Sequence, residues 1–207
     1  MSGTILFETE GPVALLRFSN PPEGVMDEGT EAALAAALDR IEGDDAIRVA
    51  ILAGADPGVF VRHYDVQVLE ARARAMRERG MRFSPDRPVP DRGTPALLNR
   101  IEAGAKPFIA AIAGACMGGG FEIALACDLR FAEAGDHPIG LPETRIGLLP
   151  GAGGTQRLPR LIGEARALEL ILLGRTVGSE EAARLGLVSA CVPDALAAAR
   201  EAAARLA

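Results

Sequence analysis

Residues 109–128 read IAAIAGACMGGGFEIALACD, and the three glycines at their centre, Gly118, Gly119 and Gly120, constrain what the chain around them can become. An apolar run, residues 108–112, leads into small residues and the glycines, and an apolar segment carrying one acid, Glu122, follows. An apolar run feeding a Gly-rich turn and then a helical segment is a strand–turn–helix unit. Glycine has no Cβ, so a ligand can approach its backbone closely. A helix that starts here aims its free N–H groups back at the turn. The residues alone therefore predict a place that holds negative charge beside a carboxyl group.

Strand and helix signals alternate on either side of this unit, which predicts an α/β fold, and 207 residues suit a single domain, residues 1–207. Residues 5–18 read as a hairpin about Gly11-Pro12. Asp27 is placed to cap a helix on which Leu34, Leu38 and Ile41 recur at helical spacing. A helix is predicted from near Asp65 through the Arg-rich stretch, and another over residues 94–105. Between them the Pro-rich stretch 83–95 reads as an irregular surface excursion. Residues 135–163 read as largely turn with a short strand near Ile139. Helices over residues 164–173 and 180–185, the latter capped by Ser179, a strand over 188–192 and an Ala-rich helix over 194–206 complete the pattern. Strand, strand, helix recurs irregularly, which suggests a spiral of such units.

Several chemistries are excluded or weakened. The net charge of −6 argues against nucleic acid as the main partner. Lys106, the only lysine, precedes Pro107, so no Walker-type phosphate loop exists. The serines lie in no nucleophile elbow, and His63 and His137 lack metal-site spacing, so no metal is expected. GAGGTQ lacks the third glycine of a dinucleotide loop. Cys116, Cys127 and Cys191 show no close spacing and read as free, mostly buried thiols of a reducing compartment. With no leader-like N-terminus and no long uninterrupted apolar stretch, a soluble cytoplasmic protein without membrane contact is the expectation.

The blocks NPPEGVMD, RVAILAGADPGVF, GGGFEIALACD, LPETRIGLLPGAGGTQRL and GRTVGSEEAARLGLV, in this order, resemble the crotonase superfamily of enoyl-CoA hydratases and isomerases. The resemblance covers nearly the whole chain, and GGGFEIALACD together with PGAGGTQRL is its most specific part. It implies an α/β spiral of ββα units, with an acyl-CoA thioester as substrate and no cofactor beyond the coenzyme A that the substrate carries. It further implies two backbone N–H donors around the thioester oxygen, carried over by motif to Tyr64, just before Asp65, and to Gly119. The two glutamates that share the proton transfers match Glu122 and Glu143. Gly151 matches the glycine that helps to place water or the acyl group, and Gly118 and Asp65 fall within the substrate-binding motifs. A homotrimer or a dimer of trimers is the assembly that the resemblance implies.

Two features depart from the family pattern. VRHYD places Arg62, His63 and Tyr64 where small residues usually precede the aspartate, and Arg62 is a candidate partner for a coenzyme A phosphate. The resemblance also implies a C-terminal helical tail that covers the acyl site, and since the 207 residues end before it, a fold lacking that tail is the expectation. Presence of both glutamates favours hydration of a 2-enoyl-CoA. The alternatives are double-bond isomerisation or another acyl-CoA conversion, and a non-catalytic acyl-CoA-binding or assembly protein.

Overall fold

The computed structural model describes residues 2–82, 84, 86 and 92–207. The chain opens with an antiparallel hairpin, β1 (Thr4–Glu10) and β2 (Val13–Ser19), in which Thr4 faces Ser19 and Glu10 faces Val13. Helix α1 (Glu28–Gly43) starts where Asp27 accepts the Thr30 N–H at 2.8 Å and the Thr30 hydroxyl accepts the Asp27 N–H at 2.6 Å. This reciprocal cap satisfies two N–H groups that a helix start would otherwise leave unpaired. Leu34, Leu38 and Ile41 lie on its buried face.

From here the chain alternates between two sheets. Strand β3 (Val49–Gly54) joins the first sheet and β4 (Gly58–Val61) the second, followed by helices α2 (Val66–Glu78) and α3 (Thr94–Ala103). Strand β5 (Phe108–Ile112) returns to the first sheet, β6 (Gly114–Met117) to the second, and helix α4 (Gly119–Ala126) follows. The next turn is β7 (Leu129–Glu133), β8 (Ile139–Gly140), a single 3-10 turn over Glu143–Ile146, and helices α5 (Gly154–Ile162) and α6 (Glu164–Leu172). Strand β9 (Thr176–Val177), helix α7 (Ser179–Leu185), strand β10 (Ala190–Val192) and helix α8 (Ala195–Leu206) finish the chain. The first sheet runs β1-β2-β3-β5-β7-β10, parallel beyond the hairpin, and the second runs β4-β6-β8-β9. This is the expected spiral of ββα units.

The central strands β3 and β5 of the first sheet are covered on both faces, which is why they are continuously apolar. Alternate residues face opposite ways along a strand. Val49, Ile51, Ala53, Ile109 and Ala111 pack on the alanine stripe Ala195, Ala199 and Ala203 of α8. Ala50, Leu52, Phe108, Ala110 and Ile112 face the main core with α1, α3 and α4.

Three expectations need correction or placement. Residues 154–162, read as turn, form α5. Its glycines and Pro159 are local breakers, but burial of Arg157 and Leu158 overrides them. Ser179 does not cap α7: Gly178 is the N-cap residue, and the Ser179 hydroxyl is buried without a hydrogen-bond partner among the described residues. The 83–95 excursion lies mostly outside the described residues, and its last two positions, Thr94 and Pro95, already belong to α3. No helix among the described residues is long and apolar enough to cross a membrane.

Candidate active site

The Gly118–Gly120 turn sits where β6 ends and α4 begins. Gly118 has φ 50°, a left-handed value that favours glycine, and its N–H donates to the Gly140 carbonyl at 2.9 Å, tying the turn to β8. Gly120 lies so close to the end of β4 that a Cβ there would fall 1.9 Å from the Val61 carbonyl oxygen. The glycines therefore let α4 start directly against the strand that leads to Tyr64.

Tyr64 is held by a two-rung backbone bridge to the loop before α1. The Met26 N–H donates to the His63 carbonyl and the Asp65 N–H to the Met26 carbonyl, each at 2.8 Å. Gly119 packs beside it, since a Cβ at 119 would lie 3.5 Å from the Tyr64 nitrogen. Neither the Tyr64 N–H nor the Gly119 N–H has an acceptor among the described residues. The Tyr64 carbonyl accepts from His63 Nδ1 at 2.8 Å, which places the ring proton on that nitrogen. Burial, and then the Glu31 carboxylate, push the Tyr64 phenol up to about 12, so it stays protonated.

Glu122 stands in the first turn of α4 and is only 3% exposed. Its Oε1 accepts the Ala152 N–H at 2.7 Å and the Gly154 N–H at 2.8 Å. Burial raises its pKa, while these two donors and the Arg157 guanidinium pull the other way. Glu143 opens the 3-10 turn after β8. A Cβ on Gly118 would lie 3.3 Å from its Oε1, so the glycine turn and Glu143 are in near contact. Its Oε2 is shielded and has no hydrogen-bond partner among the described residues. Burial, reinforced by the Glu122 charge, holds its carboxyl up at about 7.

All these groups line one cleft of about 750 Å³. Glu122, Glu143, Tyr64, Gly118, Gly119 and Gly151 lie in its wall. One side of it is α2, through Val66, Leu69, Ala73 and Met76, and the other is the apolar segment Ile146, Leu148 and Leu149. Two expected binding residues are not in the wall. Asp65 caps α2, accepting the Gln67 N–H at 2.8 Å, and Arg62 Nε donates to the Glu23 carbonyl at 2.9 Å. Both act on the backbone that carries Tyr64. The PGAGGTQRL block by itself gives Arg157 no role, since nothing local distinguishes a buried arginine from a solvated one.

The enoyl-CoA hydratase/isomerase family model matches residues 8–207. A probable enoyl-CoA hydratase of Bacillus subtilis is 39% identical over 181 residues, 86% of this chain and 64% of its own length. A peroxisomal bifunctional enzyme of Danio rerio is 40% identical over 178 residues, 85% of this chain and 22% of its own length. The chain thus spans less than two thirds of either relative. A crystal structure of an enoyl-CoA hydratase from Bacillus anthracis superposes with a TM-score of 0.84 at 32% identity, covering 98% of this chain and 76% of that one. A family-model match over residues 8–207, together with relatives near 40% identity and a solved structure that superposes on 98% of the fold, makes this chain a member of the enoyl-CoA hydratase/isomerase family.

Proposed function

We propose that the protein is an enoyl-CoA hydratase, adding water to a 2-enoyl-CoA to give the 3-hydroxyacyl-CoA. The observation that carries this reading is the meeting of two glutamates from different elements, both with raised pKa, beside two backbone N–H groups that lack acceptors among the described residues.

In this reading the thioester oxygen lies between the Tyr64 and Gly119 N–H groups. Charge that builds on that oxygen as the β carbon is attacked is stabilised by both donors, each by about 3 kcal/mol. The N-terminus of α4 adds its partial positive charge. Glu122, with one oxygen pinned by two N–H donors, is the better carboxylate and takes a proton from water. The water oxygen bonds to the β carbon, and the double-bond electrons shift into the thioester as an enolate. Glu143, with its pKa near neutral, is the better acid and gives its proton to the α carbon as the enolate collapses. Solvent exchange then returns the proton from Glu122 to Glu143. The apolar side chains of α2 and of residues 146–149 suit the acyl chain.

The test is loss of the conjugated-thioester absorbance when crotonyl-CoA and longer 2-enoyl-CoAs are added. Formation of 3-hydroxyacyl product, abolished in Glu122→Gln and in Glu143→Gln, supports the reading. A folded protein that turns over no 2-enoyl-CoA, or that returns only a shifted double bond, overturns it.

A further inference from the structure

Arg157 is an almost fully buried cation, its side chain 5% exposed, and it is not itself part of the cleft wall. Its Nη1 donates to the Ala152 carbonyl at 2.8 Å. The N–H of that same Ala152, and that of Gly154, hold Glu122 Oε1. The turn wraps the guanidinium tightly, since a Cβ on Gly153 would fall 2.1 Å from Nη1. On its far side Arg157 is fixed to α3: Nη2 donates to Glu102 Oε2 at 2.8 Å and to Asn99 Oδ1 at 3.0 Å, and Nε donates to Glu102 Oε2 at 3.1 Å.

We infer that Arg157 is a positioning residue for Glu122, clamping the 152–154 turn so that its two N–H groups grip one carboxylate oxygen, and that Glu102 sets how much of the arginine charge Glu122 feels. Two N–H groups on one edge of the guanidinium converge on the single oxygen Glu102 Oε2, and with the Asn99 and Ala152 acceptors they fix the guanidinium plane. A buried positive charge beside a carboxyl favours its ionised form. The charged groups that bear on Glu122 can be named from each element around it. Arg157 comes from α5, with Glu102 of α3 behind it, and Glu143 from the 3-10 turn. The strands β4 and β6 bring no charged side chain, and burial keeps the Cys116 thiol of β6 protonated. Among the described residues, Arg157 is thus the cation that offsets Glu143 at this carboxyl. The inference rests on the hydratase reading only for its catalytic meaning.

The experiment reads Glu122 directly and needs no turnover. The carboxyl band of protonated Glu122 is identified by infrared difference spectroscopy against Glu122→Gln and titrated in each variant. In Arg157→Met the Glu122 midpoint is expected to rise by about one pH unit or more. In Arg157→Lys, which keeps the charge, it returns toward the wild-type value. In Glu102→Gln, which frees the arginine charge from its partner, it falls. Opposite shifts from the two ends of one ion pair are what a merely structural clamp would not produce. If Arg157→Met does not fold, Glu102→Gln decides: an unmoved or raised midpoint overturns the inference, and a lowered one supports it. Failure of wild-type protein to hydrate any 2-enoyl-CoA would overturn the functional reading while leaving these midpoints to stand or fall separately.

Discussion

Glu143 and Glu122 differ in how each is held, and the difference can be measured. The Glu143 carboxyl titrates at about 7 in the fold against 4.5 for a free glutamate, so the folded state binds its proton more tightly than the unfolded state. Stability from this group is therefore complete below about pH 4.5 and is lost as pH rises through about 7. Glu143→Gln, which cannot ionise, is expected to exceed the wild type at about pH 8 by on the order of 1–2 kcal/mol, allowing for solvent screening of a half-buried group. At about pH 4 the two should melt together. Thermal melts at both values check this, and an equal gap at both would refute it. Glu122→Gln keeps an oxygen that can accept from Ala152 and Gly154, so the fold should survive. Turnover should drop by about 10²–10⁴ with little change in KM, as expected when a proton-transfer group is removed.

At the scale of elements, the contrast is between α8 and α2. Ala195, Ala199 and Ala203 are completely buried against the first sheet, at a spacing that puts them on one stripe. Ala199→Leu should overpack this contact and cost about 1–3 kcal/mol in a urea titration. Helix α2 has no fully buried residue: Val66, Leu69, Ala73 and Met76 face the cleft, and only Val68 and Leu69 pack in part against the core. Met76→Glu should leave the urea midpoint nearly unchanged and raise KM for long acyl chains well above that for short ones. A large stability loss from Met76→Glu would show that α2 is packed more firmly than its exposure indicates.

Over the whole molecule, what could be read from the chain follows how locally each feature is determined. The hairpin, the Asp27 cap and the strands of the first sheet were legible because turn residues, capping side chains and apolar runs carry their signal within a few positions. Strands β6 and β9 were not, since neither carries a local signal that separates it from the turns beside it, and both exist through their partners. Helix α5 was hidden by its own glycines and Pro159 and is made by burial. In the cleft, Glu122, Glu143 and Gly119 were named through a family pattern, and the structure brings them together. Arg157 was not, because its role depends on α3 and on a turn that only the fold brings to it.

The light packing of α2 has a kinetic meaning. A helix with no fully buried side chain, capped by Asp65, resting on the core only through the partly buried Val68 and Leu69 and tied to α1 through Arg72, can detach at a small fraction of the free energy that unfolds the sheets. Its amides should exchange with deuterium by local opening, orders of magnitude faster than those of β3 and β5, and should slow when an acyl-CoA fills the cleft. The rigid half of the molecule would then carry the reacting groups, while the yielding half adapts to the length of what it holds.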